Sequence, residues 1–370
     1  MLANSKGFER PKKIIISGGG TGGHLFPAVA IAEEFKIRNF QHSILFVGAI
    51  GKMEMNLIPK SGFKIKGLWI DGFHRKSFWR NLLLPLKVLI SLWQSFVILE
   101  KFKPHVVIGT GGYASFPILK VAQWLNKPTV IQEQNALIGM TNKYLWTKAH
   151  KIFVAFDFKD IPAAKTKPIN LGIPLRNKIH TNPPDRREVL KSLGLHSNKN
   201  VLLVLGGSLG AKAINEIIEK ELGFIKKLNF QIIWQCGQLY AHQYTKYDHA
   251  AIKVMPFILD ISRVYSLADI IICRAGASTI AELACVGKPT IFVPSPNVAD
   301  NHQYHNAIWL QNHDAAILIE EKELSIKFKR VLGDLVGNLK WQKTLESNFK
   351  SFARPQATKE IVDEIQKDVL

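Results

Sequence analysis

Twice in this chain a short apolar run ends in a cluster of glycines that opens straight onto a helical pattern. KIIIS runs into GGGTGGH, Gly18 to His24, and then FPAVAIAEEF; VLLVL runs into GGSLGA, Gly206 to Ala211, and then AINEIIEK. Strand, glycine turn and helix in that order begin a βαβ crossover, which commits the strands to a parallel sheet covered by helices. Further strand-like runs at residues 43–47, 106–109, 129–132 and 151–155, and then at 232–236, 252–255, 270–273, 290–294 and 316–319, keep the same rhythm. The expectation is an α/β protein of two Rossmann-like parallel-sheet domains, with their strand ends facing one cleft. Its 370 residues suit two domains at roughly 150 residues each. Residues 165–198 carry Pro168, Pro174, Pro183 and Pro184 and read as a linker, with a hinge near Leu175 to Lys178. The expected domains are therefore residues 1–176 and 177–349, with a C-terminal helix of about residues 350–370 packing back across the hinge onto the first.

Hydrophobic residues make up 47% of the chain and charged ones 21%, the proportions of a folded globular protein, so disorder is excluded. Lys and Arg number 49 against 29 Asp and Glu, a formal charge of +20 that attracts polyanions: nucleic acid, anionic lipid or phosphorylated substrates. There is no zinc-finger spacing, no aromatic RNA-binding motif and no long basic tract, so a nucleic-acid partner is not expected. Cys236, Cys273 and Cys285 share no C-x-x-C spacing and sit in apolar stretches, which fits a reducing compartment. The N-terminal MLANSKGFERPKK has no apolar core, so a secretory signal is not supported and a cytoplasmic location is expected. Residues 82–99 carry one charge, Lys87, and approach the length of a membrane span. Lys87, Ser91, Gln94 and Ser95 recur there at helical spacing, and Pro85 lies near the start, so the segment reads as a buried or interfacial helix.

The first glycine cluster offers main-chain N–H groups to an anion at a helix N-terminus. Gly18, Gly20 and Gly23 also satisfy G-x-G-x-x-G, the dinucleotide pattern, but the next strand runs into Gly48 and Ala49 with no acid for a ribose. His24 falls in the first helical turn, where the positive end of the dipole favours a neutral imidazole able to accept a proton. The second cluster lacks the Gly-Lys-Ser/Thr ending of an ATP-binding loop, which leaves Ser208 and the backbone to hold phosphates. In CRAGASTIAEL the residues Ala277, Ser278 and Thr279 open a helix that carries Glu282, a carboxylate able to accept two hydrogen bonds from a ribose diol. In PSPNVADNHQYHNA, the residues Asp300, Asn301, His302 and Gln303 gather donors and acceptors on the scale of a sugar. No Asp-x-Asp motif and no zinc spacing occur, so neither a metal nor another cofactor is expected, and Arg176 in LGIPLR is the candidate to stabilise a leaving diphosphate.

GGGTGGHLFPA, GTGGYAS at Gly109 to Ser115, QEQN at Gln132 to Asn135, GGSLGA, CRAGASTIAEL and HQYHNA follow one another as in the MurG family of peptidoglycan glycosyltransferases, which the chain resembles along nearly its whole length. The resemblance implies a GT-B fold and inverting transfer of N-acetylglucosamine from its UDP donor to the undecaprenyl-diphospho-muramoyl-pentapeptide lipid I, giving lipid II. It implies donor-site roles for Thr21, Gly22, Gly23, Asn135, Arg176, Ser208, Ile258, Ala277, Ser278, Thr279, Ile280, Ala281, Glu282 and Gln303. Among these, Ile258 would meet the uracil through its backbone, Glu282 the ribose, Ser208 and Arg176 the diphosphate, and Gln303 with Asn135 the sugar. His24 resembles the proposed general base, and Glu133 is its rival. Gln132 stands where the family commonly has His, Ile173 where it has Asn, and His302, which can still bond a sugar hydroxyl, where it has a second Gln. Phe73, Phe78, Trp79, Leu82, Leu83 and Leu84 lie among Arg75, Lys76, Arg80 and Lys87, an apolar patch in a basic setting. That setting implies peripheral attachment to the anionic cytoplasmic face of the inner membrane. The competing expectations are a glycolipid synthase acting on diacylglycerol, a UDP-sugar epimerase and, from another class, a basic nucleic-acid-binding protein.

Overall fold

The structure, a computed structural model, describes residues 10–73, 78–158, 161–175 and 185–370, without the side chains of residues 78 and 80. The chain divides into two compact units, one of Met1–Asn177 with Pro355–Leu370, the other of Lys178–Arg354.

The first unit runs β1 (Lys13–Ser17), α1 (Gly22–Arg38), β2 (Ser43–Ala49), α2 (Glu54–Lys60), β3 (Lys64–Leu68), α3 (Phe78–Asn81), α4 (Leu84–Phe102), β4 (Val106–Gly109), α5 (Ser115–Trp124), β5 (Thr129–Glu133), α6 (Met140–Leu145), β6 (Lys151–Val154) and β7 (Ile169–Asn170). Its seven strands pair in parallel in the order β3-β2-β1-β4-β5-β6-β7. Successive residues of β1 point to opposite faces, so Ile15 enters one core with Val107, Ile131 and Trp146, while Ile14 and Ile16 enter another with Phe46, Val130 and Phe153. Because both faces are covered, the central strands read as continuous apolar runs and were recognisable as such.

The second core is closed by residues from the far end of the chain. Ile361, Val362 and Ile365 of the C-terminal helix Ala357–Asp368 are fully buried there. Polar contacts at its rim set the register: the Arg38 guanidinium donates to Asp363 Oδ1 at 2.6 Å, the Lys151 ammonium to Glu364 Oε2 at 3.1 Å, and the Thr358 hydroxyl to the Leu175 carbonyl at 2.8 Å.

The second unit begins with α7 (Arg186–Ser192), capped by Asp185, whose Oδ1 accepts from the Arg187 N–H at 2.8 Å. This helix and the two-residue β7 fall within what composition marks as linker. There follow β8 (Asn200–Leu205), α8 (Lys212–Lys227), β9 (Phe230–Gln235), α9 (Ala241–Tyr244), β10 (Ile252–Met255), α10 (Ile261–Tyr265), β11 (Ile270–Cys273), α11 (Ala277–Val286), β12 (Thr290–Phe292), α12 (His302–Gln311), β13 (Ile317–Leu318), α13 (Leu324–Gly337) and α14 (Leu339–Ser351); the C-terminal helix is α15. The six strands are parallel in the order β10-β9-β8-β11-β12-β13. All three cysteines are free thiols; Cys236 and Cys273 are buried and Cys285 is half-buried.

Two features go beyond what the sequence pattern shows. β3 was not anticipated: its KIKGL sequence lies at the sheet edge with both lysines exposed, so it lacks the apolar run that marks a central strand. Helix α4 is the anticipated helix, but its polar stripe faces inward. Ser91 and Ser95 are fully buried, their hydroxyls bonded to the carbonyls of Val88 and Ser91 at 2.8 and 2.7 Å, and Gln94 accepts the Trp69 N–H at 2.8 Å. The apolar face turns outward instead, with Trp93 67% and Leu89 64% exposed. Among the described residues no helix is long and apolar enough to cross a membrane.

Candidate active-site residues

In the first unit the glycine turn links β1 to α1. Gly20 has φ +82°, α1 starts at Gly22, and Thr21 as N-cap makes no side-chain cap bond, so the first helical amides remain available to a ligand. Thr21 and Gly23 are exposed and Gly22 is half-buried. The GTGGYAS loop packs directly against this turn. A Cβ on Gly112, which has φ +82°, would lie 2.2 Å from the Gly19 carbonyl oxygen, so glycine is required for the two loops to touch.

His24 stands where the loops meet. Its Nδ1 lies 3.0 Å from the Thr110 carbonyl oxygen and 3.1 Å from Gln134 Oε1. The Gln134 amide is oriented by its own nitrogen, which donates to the Thr110 carbonyl at 2.6 Å and the Gln132 carbonyl at 3.2 Å and so leaves Oε1 toward the imidazole. Nδ1 thus faces two acceptors and carries the ring proton, which leaves the lone pair on Nε2. Half-exposed His24 therefore has the tautomer of a proton acceptor. Thr110 and Gln134 lie within the GTGGYAS and QEQN motifs, but their part here is not legible in the sequence, because neutral groups that orient a histidine leave no charge signal.

Glu133 differs in every respect. It is 1% exposed, and its carboxylate accepts four N–H groups: Asn135 N at 3.0 Å and Nδ2 at 3.3 Å on Oε1, and Gly139 N at 3.0 Å and Asn142 Nδ2 at 2.8 Å on Oε2. Its work is to hold the chain that follows β5, and with it Asn135. Gln132, fully buried, donates to the Gly172 carbonyl at 3.4 Å, and Ile173 is buried nearby in sequence. Arg176 lies outside the described residues.

The sequence places no Asp or Glu at the end of β2 to hold a ribose. An acid does reach that point from α2, but not one a ribose can meet: Glu54 is fully buried, with Oε1 accepting the Ala49 N–H at 3.1 Å and Oε2 the Gly20 N–H at 3.2 Å. Both oxygens are taken by main chain. The Tyr113 ring lies over Gly20, and burial, then the charges of Glu54 and Asp71, push its phenol well above the ordinary value, so it stays a hydrogen-bond donor.

In the second unit the glycine turn follows β8. Gly207 and Gly210 have φ of +82° and +97°, and a Cβ on Gly210 would lie 2.4 Å from the Cys236 carbonyl oxygen. Ser208 is exposed, and its carbonyl accepts the Gln238 N–H at 3.1 Å. The buried Ile258 gives its N–H to Gln235 Oε1 at 3.0 Å. At the start of α11, whose N-cap Gly276 makes no side-chain bond, the Ser278 hydroxyl is buried and has no hydrogen-bond partner among the described residues. A buried hydroxyl without a partner is costly unless a ligand meets it. Ala277 and Ile280 are buried, whereas Thr279, Ala281 and Glu282 are half-buried. Glu282 Oε2 accepts the Tyr265 hydroxyl at 2.8 Å; burial raises its pKa and the tyrosine bond opposes the rise. Before α12, Asp300 and Asn301 both take left-handed backbone, φ +52° and +50°, the kind of strain that collects at ligand sites. His302 Nδ1 lies 2.7 Å from the Ala299 carbonyl oxygen, and Gln303 Oε1 accepts the Ser295 N–H at 2.9 Å. Among the described residues no group of three or more His, Cys, Asp or Glu side chains is placed to hold a metal ion.

The expected membrane residues divide. Phe73, Trp79, Leu82 and Leu83 are exposed. Arg75 and Lys76 lie outside the described residues, as do the side chains of Phe78 and Arg80. Leu84 is half-buried at the start of α4. Lys87 turns toward Asp71, at 3.5 Å, with its ammonium 5.7 Å from the centre of the Trp69 ring.

Two parallel-sheet units, each with a glycine turn at the end of its first strand, define a two-domain Rossmann-like α/β protein with an anion-binding turn in each unit. Residues 14–154 match the Glycosyltransferase family 28 N-terminal domain and residues 201–361 the family 28 C-terminal domain, and the chain belongs to this glycosyltransferase family. It is 49% identical over 96% of its length, and 97% of the relative's, to the Flavobacterium psychrophilum protein called UDP-N-acetylglucosamine--N-acetylmuramyl-(pentapeptide) pyrophosphoryl-undecaprenol N-acetylglucosamine transferase. It is 46% identical to the Christiangramia forsetii protein of the same name, over 96% of this chain and 97% of that one. Among solved structures it is similar to Acinetobacter baumannii MurG, with a TM-score of 0.78 and 31% identity over 96% of this chain and 100% of that one. The fold is GT-B.

Proposed function

We propose that this protein transfers N-acetylglucosamine from UDP-N-acetylglucosamine to the undecaprenyl-diphospho-muramoyl-pentapeptide lipid I, forming lipid II for peptidoglycan, with inversion at the anomeric carbon. The observation that carries the reading is the relation to transferases of that name over nearly the whole of both chains. The site residues are assigned by chemistry. His24, its Nδ1 proton directed at Thr110 and Gln134, takes the muramoyl hydroxyl proton at Nε2 as that oxygen attacks the sugar. Glu133, its oxygens already occupied by four N–H groups, serves to shape the loop that presents Asn135. The bond to UDP breaks, and the charge on the diphosphate is met by the uncapped amides of α11, the Ser278 hydroxyl and the second glycine turn with Ser208. Glu282 receives the ribose hydroxyls, Ile258 the uracil, and Gln303 with His302 the sugar.

The acceptor is a membrane lipid, and we assign contact with an anionic membrane surface to the outward face of α3 and α4. Trp79 on α3, Leu82 and Leu83 in the turn that follows, and Leu89 and Trp93 on α4 are all exposed, more apolar surface than a water-facing helix ordinarily shows.

Incubation of the purified protein with labelled UDP-N-acetylglucosamine and a lipid I analogue should give a disaccharide lipid. Turnover on diacylglycerol but not on the lipid I analogue would reassign the acceptor, and interconversion of the free UDP-sugar would make the protein an epimerase.

A further inference from the structure

We propose that Glu54 is a positioning residue for the transfer reaction: its buried carboxylate ties the first glycine turn to the end of β2 and so sets where α1, and His24 on it, begins. The inference rests on the proposed role of His24. Glu54 is 0% exposed, and no Lys, Arg or His within ion-pair distance accounts for its burial among the described residues. Its two bonds join stretches far apart in sequence, the Ala49 N–H at the end of β2 and the Gly20 N–H in the turn. The surrounding glycines leave it room. A Cβ on Gly19 would lie 2.4 Å from Glu54 Oε1, and one on Gly48 2.6 Å from Glu54 Cγ.

A buried carboxylate held only by neutral N–H donors is a costly way to fill space, because an apolar side chain would fill it without desolvating a charge. Its return is geometric. Two oxygens on one rigid plane hold two main-chain groups at once, and Gly20 has no side chain of its own to steady it. From Gly20 the chain passes through Thr21, whose carbonyl accepts the His24 and Leu25 N–H groups, so a shift at Gly20 is transmitted to the imidazole. The same carboxylate uses the amide of Gly20 and leaves those of Gly22 and Gly23 for a ligand.

The test uses the full chain and measures kcat and KM for UDP-N-acetylglucosamine and a lipid I analogue, UDP affinity by calorimetry, and amide hydrogen exchange over residues 18–24. Glu54→Gln keeps the volume but turns an NH2 group toward one of the two N–H donors. It should lower kcat about a hundredfold, the scale on which a displacement of about 1 Å slows a reaction, leave UDP affinity within about twofold, and speed exchange in the turn. Gly48→Ala, whose methyl pushes on Glu54 Cγ without altering charge, should act in the same direction and serves if the first variant does not fold. A Glu54→Gln enzyme with parental kcat and parental exchange overturns the proposal, as does a variant that loses UDP affinity in parallel with kcat, which would mark a general packing role. A parent inactive toward both substrates would fail the functional reading instead, and exchange in the turn would then decide whether the clamp exists.

Discussion

His24 and Glu133 show how two titratable side chains close together in one unit acquire opposite work from their partners. The histidine has one nitrogen committed to neutral acceptors and the other open, whereas the carboxylate has every oxygen met by N–H groups. His24→Ala should reduce kcat by about a hundredfold or more, the usual contribution of a positioned base, with UDP affinity unchanged. Glu133→Gln should instead lower thermal stability, since a buried N–H loses its acceptor; an unchanged kcat in His24→Ala by product assay would remove it as the base. Glu282 gives a pH-dependent prediction. Burial raises its pKa above that of an ordinary carboxyl, so its neutral form persists to higher pH in the folded protein than in the unfolded chain. Stability from this group is therefore full below the unfolded value and falls as pH rises through the folded one. A ribose diol needs the charged acceptor, so UDP affinity should rise with pH across the same window. The Tyr265 hydroxyl favours the charged form, and Tyr265→Phe should move the acid limb of UDP binding, followed by calorimetry, to higher pH. An unmoved limb would show that Glu282 does not control binding.

At the scale of the element, α4 reverses the rule that polar stripes face water. Serine hydroxyls can bond to carbonyls of the preceding turn, and once satisfied they are small enough for a helix to pack closely on its neighbour. Ser95→Leu should therefore overfill the interior and cost about 1–3 kcal/mol, read as a lower Tm. Trp93→Glu should leave Tm in place and abolish sedimentation with anionic vesicles; retained sedimentation would separate α4 from the membrane. The same element shows what was legible in the sequence. Helical spacing placed the helix, but which face it buries depends on neighbours that periodicity alone does not reveal. β1, β4 and β11 were readable to the residue because they are inner strands of parallel sheets with both faces covered, and β10, although at an edge, keeps Ile252 and Val254 buried in strict alternation. β3 was not, because edge lysines blur its pattern, and Glu54 escaped notice because its partners are main-chain amides that carry no sequence signature.

At the scale of the whole molecule, the chain completes its first unit with its last residues. Ile361, Val362 and Ile365 are fully buried, and at about 1.5–3 kcal/mol each their loss would consume much of the 5–15 kcal/mol that typically holds a domain folded. A chain ending at Arg354 should lose the cooperative unfolding of the first unit in calorimetry while the second still binds UDP. Parental melting of both would contradict the division into two units. The account as a whole assigns the sugar nucleotide to the second glycine turn and the start of α11, and the proton-accepting histidine to the first turn. A crystal structure of the protein with UDP-N-acetylglucosamine tests this most directly: the ribose should lie on Glu282 with the diphosphate beside Ser208 and Ser278, and density for the uracil and ribose in the Gly18 to His24 turn would contradict it.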